Sequence, residues 1–377
     1  MADVPMSELS VTSAALLGFA GDLRNTGESL LRNTSRISSM LSLPGDASGL
    51  LETLTSSFQN FRDRVSALGR QSHDQVLTFG SNLETTVQRF QQQDTAWARA
   101  MTTATSSLSL PPLDQTATDK IRFSGMQFFD PVDIQTENLS VKAVVTGAHD
   151  IISIFDERLS QSIGIKPAEY YLSPLACDWE HIRTIGKRIR QLGTNDSVTA
   201  WNLNSGSRWL SSKWSGKAAD SYATTISTLE TTISQRSADM ETISNTLEKG
   251  GECLERLVYN QAAGVSTGLM EPLKLLGFSL PVGVWAQVAD RPMNDAVKNQ
   301  ITSAINTVRT MADTRNTEIK HLLERIQQVL AYEPGTRVPE PTDDLFNLPS
   351  KIVADLGTLR YGYKNNVWWE HSLASTL

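Results

Sequence analysis

The first hundred residues carry apolar side chains at helical spacing. A seven-residue repeat predicts a long helix whose apolar stripe packs against another helix. Pro44 and Gly45 predict the end of that helix. Apolar residues at spacings of three and four resume at Leu54 and continue to Met101, so the pattern predicts a helical hairpin over residues 1–105. The repeat consists of Leu9, Leu16, Leu23, Leu30 and Ile37.

A second pair of periodic stretches predicts a second hairpin, over residues 168–264. Its first helix starts near Leu175, and the stretch GTNDS at Gly193–Ser197 is expected to interrupt it. Its second helix starts near Lys217 and keeps spacings of three and four as far as Leu254. Because both helices are long, a tight reversal must join them.

That reversal is predicted at the stretch WSG. Trp214 supplies a large aromatic side chain that closes the end of the seam between the helices. Gly216 lets the backbone turn closely, and Ser215 is a candidate cap for the helix that follows. A Trp also occurs near the turn of ordinary helical hairpins, so WSG alone leaves both interpretations open.

The remaining segments are a linker and an extension. Residues 106–167 combine a Ser, Thr and Pro rich linker with a short helical insert near Val141–Ile163. Residues 265–377 contain a further helix and then an aromatic tail. The predicted fold class is all-α: tandem long antiparallel helical hairpins that form an elongated helical bundle, with a helical C-terminal extension.

The balance of charge excludes one class of partner. The chain has 34 basic and 41 acidic residues, which are spread evenly and give a net charge of -7. Because the charges are spread evenly, the chain has no basic stripe for a phosphate backbone to follow, so nucleic acid is not an expected partner. The N-terminus lacks the charged region of a cleaved export signal, and no apolar run is long enough to span a membrane.

One apolar stretch, residues 268–288, leaves two interpretations open. Pro272 and Pro281 break it. The stretch either contacts a membrane surface as an amphipathic loop or packs onto the helices, and packing is the commoner fate of such a segment.

Candidate chemistry is sparse, and the chain is not predicted to be an enzyme. The five histidines have no metal-ligand spacing, and the glycines form no phosphate loop. His149 and Asp150, with Asp156 and Glu157, are expected on the outer face of a helix. We therefore assign no catalytic residue, no metal and no cofactor.

The two cysteines, Cys177 and Cys253, lie at similar distances on either side of the WSG turn. In antiparallel helices they would fall at nearly the same height, which makes them a candidate disulfide. Two ordinary buried thiols are the slightly favoured alternative, because cysteine is a common core residue.

Taken together, the two hairpins resemble a known family. WSG between two long helices resembles the WxG helical hairpins that type VII (ESX) systems of actinobacteria and their relatives secrete. The first hairpin, with LSVTSAALLGFAGDL near its start and VQRFQQQDTAWA at its end, resembles the sister proteins of those systems. In that family a Tyr-x-x-x-Asp/Glu element serves as the export signal.

Phe90 and Asp94 occupy the positions of that element, with Phe in place of Tyr. On a helix they would face the same side, because they are four residues apart. The alternative is that Phe90 is a core residue and Asp94 a solvated one.

The resemblance implies a function. In the family the two kinds of hairpin come from separate chains, whereas one chain here holds both, which implies a four-helix arrangement. We expect a secreted or cell-surface, non-enzymatic substrate or accessory protein, exported without a signal peptide. Trp214, Gly216, Phe90 and Asp94 would form a composite export signal. The implied partners are the type VII secretion ATPase and either further copies of this chain or another helical-hairpin substrate.

Two alternatives stay open. The hairpins could deliver a toxin whose activity lies in residues 265–377, although the long simple helix there is more typical of a scaffold. The chain could also be a cytosolic helical scaffold, in which case WSG and the Phe90–Asp94 element carry no export meaning.

Overall fold

The structure is a computed structural model that describes residues 11–104, 120–136, 141–336 and 338. Its fold is all-α, with one two-stranded sheet among the described residues. The strands are β1 (Pro272–Leu275) and β2 (Phe278–Pro281). The α-helices are α1 (Ser13–Ser38), α2 (Thr55–Ala104), α3 (Val141–Ile163), α4 (Glu180–Ser211), α5 (Lys217–Met270), α6 (Val282–Ala286) and α7 (Asp295–Leu330).

Short helical turns connect some of these elements. Gly49–Leu54 and Ser173–Leu175 are 3-10 turns, and Ala168–Leu172 is a π-helical turn. Three features of the sequence analysis lie outside the described residues: Leu9, the linker residues 105–119 and the C-terminal residues 339–377.

Helices α1 and α2 form the first predicted hairpin. Gly69 of α2 lies against Thr34 of α1, and Gly80 lies against the backbone of Ala20, so the two helices run antiparallel. The described members of the seven-residue repeat face this contact and are buried: Leu16, Leu23, Leu30 and Ile37.

Helices α4 and α5 form the second predicted hairpin, but the expected interruption at Gly193–Ser197 is wrong. Helix α4 is continuous through these residues. Gly193 lets α5 approach closely, because a Cβ there would lie 3.1 Å from the backbone oxygen of Ser237. Asn195 and Asp196 find hydrogen-bond partners on other helices. These tertiary contacts outweigh the local preference of such residues for turns.

The two hairpins pack side by side as a four-helix unit. A polar layer, which consists of Asn33, Ser72, Asn195, Asp196 and Arg236, crosses its core. Arg236 donates from Nε and Nη2 to the two carboxylate oxygens of Asp196, each at 2.7 Å, and from Nη1 to Ser72 at 2.9 Å. Asn33 donates to Asn195 at 3.1 Å. The layer joins all four helices between two apolar clusters, of which one lies toward the WSG turn.

An extended segment, residues 120–136, lies against α1 and α4. Its backbone is held by their side chains: Asp22 accepts from the backbone N–H of Phe123 at 2.8 Å. Asn202 accepts from the N–H of Met126 at 2.7 Å and donates to its carbonyl at 3.0 Å. This segment therefore ties the two hairpins together along one side.

The rest of the described chain packs at the opposite end of the four-helix unit from the WSG turn. Helix α7 lies along the second half of α5, where Gln261 donates to the carbonyl of Ala312 at 3.1 Å. Helix α3 forms where the sequence predicts it. The stretch 268–288 divides into the end of α5, the β1–β2 hairpin and α6, and only part of it packs onto the helices.

Candidate functional site

The WSG turn is a tight reversal closed by backbone hydrogen bonds. The N–H of Trp214 donates to the carbonyl of Leu210 at 3.0 Å. Gly216 has φ 107° and ψ 174°, which a residue with a Cβ rarely adopts, so glycine is required there. Gly216 also holds the N-cap position of α5. The expectation that Ser215 is the N-cap is therefore wrong by one residue.

Trp214 is buried at the end of the four-helix core, with 4% of its surface exposed. The start of α1 lies directly against it: the N–H of Thr12 donates to the carbonyl of Lys213 at 3.0 Å, and Val11 forms an antiparallel bridge with Trp214. The turn thus fixes the N-terminus of the first hairpin as well as the reversal of the second.

An aromatic cluster extends from Trp214 across the hairpins. The ring centroid of Tyr222 lies 5.7 Å from that of Trp214 and 5.6 Å from that of Phe79 on α2. The indole N–H of Trp214 and the hydroxyl of Tyr222 are buried without a hydrogen-bond partner among the described residues. Burial raises the pKa of Tyr222 well above its usual value. Each unpaired group costs about 1–3 kcal/mol, so apolar packing must hold this cluster in place.

The end of α2 lies at the same end of the bundle. Val87 is buried in the apolar cluster that contains Trp214. One turn further on, Phe90 is half-buried, Asp94 is exposed and Trp97 is 72% exposed. Helix α2 therefore continues past its packing partners as an exposed extension that begins near Phe90.

The four residues proposed from the sequence therefore divide into two pairs. Trp214 and Gly216 shape the turn from inside, whereas Phe90 and Asp94 lie where the exposed extension begins. The apolar pattern that continues to Met101 places Trp97 on the packed stripe of α2, but its side chain is 72% exposed. Trp97 lies on the same helix face as Phe90 and Asp94, because it is seven residues after Phe90. Helical spacing alone therefore indicates that it belongs to the same candidate surface.

The two cysteines are buried in different surroundings. Cys177 lies beside the backbone of Leu51, and burial raises its thiol pKa to about 11. Cys253 has Glu318 of α7 among its charged neighbours, and burial raises its thiol pKa to about 12. The disulfide between them stays a prediction.

Asp156 is the one member of the group around His149 that lies elsewhere than expected. It is buried, and its carboxylate accepts hydrogen bonds from the backbone N–H groups of Ala168 and Glu169, each at 3.0 Å. It therefore caps a turn instead of facing solvent. Asp150 and Glu157 are exposed, and His149 is half-buried.

The described part of the chain contains neither a metal-ligand cluster nor a helix suited to crossing a membrane. No cluster of three or more His, Cys, Asp or Glu side chains in that part has the arrangement of a metal site. None of the helices described combines the length and the apolar character that crossing a bilayer requires.

The fold and this end of the bundle define the class of protein: an all-α bundle in which two helical hairpins of one chain share a core. Comparisons of the chain with protein-family models, with curated proteins and with solved structures give no match.

Proposed function

We propose that the chain is a secreted, non-enzymatic substrate or accessory protein of a type VII (ESX-type) secretion system. Trp214, Gly216, Phe90 and Asp94 would form its composite export signal. The observation that carries this proposal is that the WSG turn and the Phe90–Asp94 element lie at one end of a single four-helix unit.

The two pairs of residues have different roles in this proposal. Trp214 is too deeply buried for a receptor to contact its ring, so it acts by fixing the turn against the start of α1. Asp94 is exposed and Phe90 is half-buried, so together they offer part of an apolar side chain and a negative charge. The secretion ATPase would bind this face of α2, because the helix extends beyond the core there.

Self-association and localisation follow from the same proposal. A second copy, or another helical-hairpin substrate, would pack against the exposed part of α2 after or during export. The exported chain would act in the medium or at the cell surface.

Secretion from a host with a functional type VII system tests the signal. Asp94→Ala and Phe90→Ala should abolish export, because they remove the accessible charge and apolar surface. Glu241→Ala removes an exposed acid from α5 and is the matched control, which should be exported normally.

The role of the turn needs a variant that keeps the fold. Trp214→Phe retains an aromatic ring in the core and removes the indole N–H that has no partner. It should fold and be exported if the indole serves only to fill the turn. Trp214→Ala should lose export. Normal secretion of the Asp94, Phe90 and Trp214→Ala variants would refute the composite signal.

A further inference from the structure

The β1–β2 hairpin has a turn whose first residue is unfavourable for its backbone. Two residues, Leu276 and Gly277, connect the strands, and their φ angles are 52° and 84°. Two-residue hairpin turns with positive φ at both positions favour Asn-Gly or Gly-Gly. A leucine pays a steric cost in this conformation, because its Cβ crowds the backbone.

Nothing in the described chain compensates for that cost. The side chain of Leu276 points out of the fold and is 65% exposed, and Phe278 is 66% exposed. Leu280, on the same strand, is also exposed. The leucine therefore neither suits its backbone nor packs in the core, so its apolar side chain is best explained by a partner outside the chain.

The base of the hairpin is firmly attached to the bundle. Trp285 is buried and donates from its indole N–H to the carbonyl of Leu273 at 2.8 Å. The N–H of Val282 donates to the carbonyl of Glu271 at 2.9 Å, and Leu275 is buried beneath the turn. A fixed base holds the exposed tip in one position.

The two faces of the hairpin differ in polarity. The cross-strand pairs Leu275–Phe278 and Leu273–Leu280 lie on one face, and Lys274–Ser279 lies on the other. On the apolar face Leu273 and Leu275 pack toward the core, whereas Phe278 and Leu280 stay exposed. The exposed tip is therefore amphipathic: apolar side chains remain uncovered on one face, and a lysine on a long flexible stem lies on the opposite one.

We propose that this tip, formed by Leu276, Phe278 and Leu280, inserts into the interfacial region of a lipid bilayer. Its size favours lipid over a protein partner. A stable protein interface needs about 800 Å² from each partner, and three side chains offer far less. They suit shallow insertion, which needs only an apolar face and a polar one that stays at the headgroups. Lys274 can extend its ammonium group toward those headgroups.

Co-sedimentation of the purified full chain with phosphatidylcholine vesicles tests the proposal. Neutral lipid is the informative probe, because insertion of apolar side chains does not need an anionic surface. The double variant Leu276→Asn with Phe278→Ser should bind at least about tenfold more weakly, since it removes most of the apolar tip. Ile154→Ser is the matched control: Ile154 is 73% exposed on α3, and its loss should leave binding unchanged.

Leu276→Asn alone separates a membrane role from a structural one. Asparagine suits the turn better than leucine, so this variant should bind vesicles more weakly and unfold at the same temperature or a higher one. A lower unfolding temperature would mean that Leu276 supports the fold, and would overturn the proposal.

Three other outcomes would also overturn it: no sedimentation of the unmodified chain with vesicles, equal binding by the double variant, or a dimer in light scattering that the double variant abolishes. The membrane proposal does not depend on the secretion proposal. Vesicle binding and export are therefore tested independently of each other.

Discussion

The WSG turn and the hairpin turn at Leu276–Gly277 meet the same backbone requirement with opposite choices. Both need positive φ. At the first, glycine takes the restricted position and the large side chain, Trp214, is buried. At the second, a leucine takes a restricted position and its side chain is exposed. A residue whose side chain suits its backbone and packs in the core supports the fold. A residue that meets neither condition, such as Leu276, indicates a contact with a partner outside the chain.

The largest expected difference comes from removing the aromatic ring at each turn. Trp214→Ala should lower the free energy of unfolding by about 3–5 kcal/mol, because it leaves a cavity in the core. Phe278→Ala should change it by less than about 0.5 kcal/mol, because the ring is exposed. Urea unfolding followed by circular dichroism measures both values. Equal losses of unfolding free energy in the two variants would contradict this difference between the turns.

A smaller effect is expected from the glycines. Gly216→Ala should cost about 1–3 kcal/mol, because a Cβ is strained at that φ. Gly277→Ala should cost about 1–2 kcal/mol from the left-handed conformation alone, since open space surrounds it. Gly45→Ala is the control, at a glycine with open space and no positive φ. The urea unfolding midpoints of the three variants measure these costs. If Gly45→Ala had the lowest midpoint, the cost could not come from positive φ.

The two turns should also differ at alkaline pH, because the aromatic cluster at the WSG turn contains a buried tyrosine hydroxyl, that of Tyr222, and the Leu276–Gly277 turn contains no tyrosine. Below pH 10 Tyr222 is protonated in both the folded and the unfolded chain and adds no pH dependence. Above pH 10 it ionises in the unfolded chain, while burial keeps it protonated in the folded one. Stability should then fall by up to about 1.4 kcal/mol per pH unit.

Tyr222→Phe isolates this effect. Its unfolding free energy should equal or exceed that of the unmodified chain at pH 8, because the lost hydroxyl has no partner. The difference should widen between pH 10 and pH 11. Tyr170→Phe, at an exposed position, is the control for removing a hydroxyl. A constant difference across this range would show that Tyr222 ionises equally in both states.

The sequence predicted the long helices well because their signal is local. The repeat from Leu16 to Ile37 is present in one stretch of chain and needs only a partner to pack against. The hairpin at 272–281 was missed because its alternation is hidden in an apolar run and its turn is Leu-Gly instead of Asn-Gly. Residues 120–136 had no periodicity to read, since their backbone partners lie on other helices.

The candidate export site was predictable only in part. The spacing of Phe90 and Asp94 placed them on one helix face, but their position at the exposed end of α2 depends on where α1 begins. The contact of Trp214 with Val11 joins residues about two hundred positions apart, and no local pattern indicates it.

The polar layer has a consequence for how the two hairpins align. Sliding one hairpin past the other by a heptad, about 10 Å along the axis, would still match one apolar stripe to another. It would, however, separate Arg236 from Ser72 and Asn195 from Asn33, and leave these buried polar groups without their partners on the other hairpin. Each buried polar group left unsatisfied costs about 1–3 kcal/mol. A few buried polar contacts can thus select one alignment among several that leucines alone would leave nearly equal in energy.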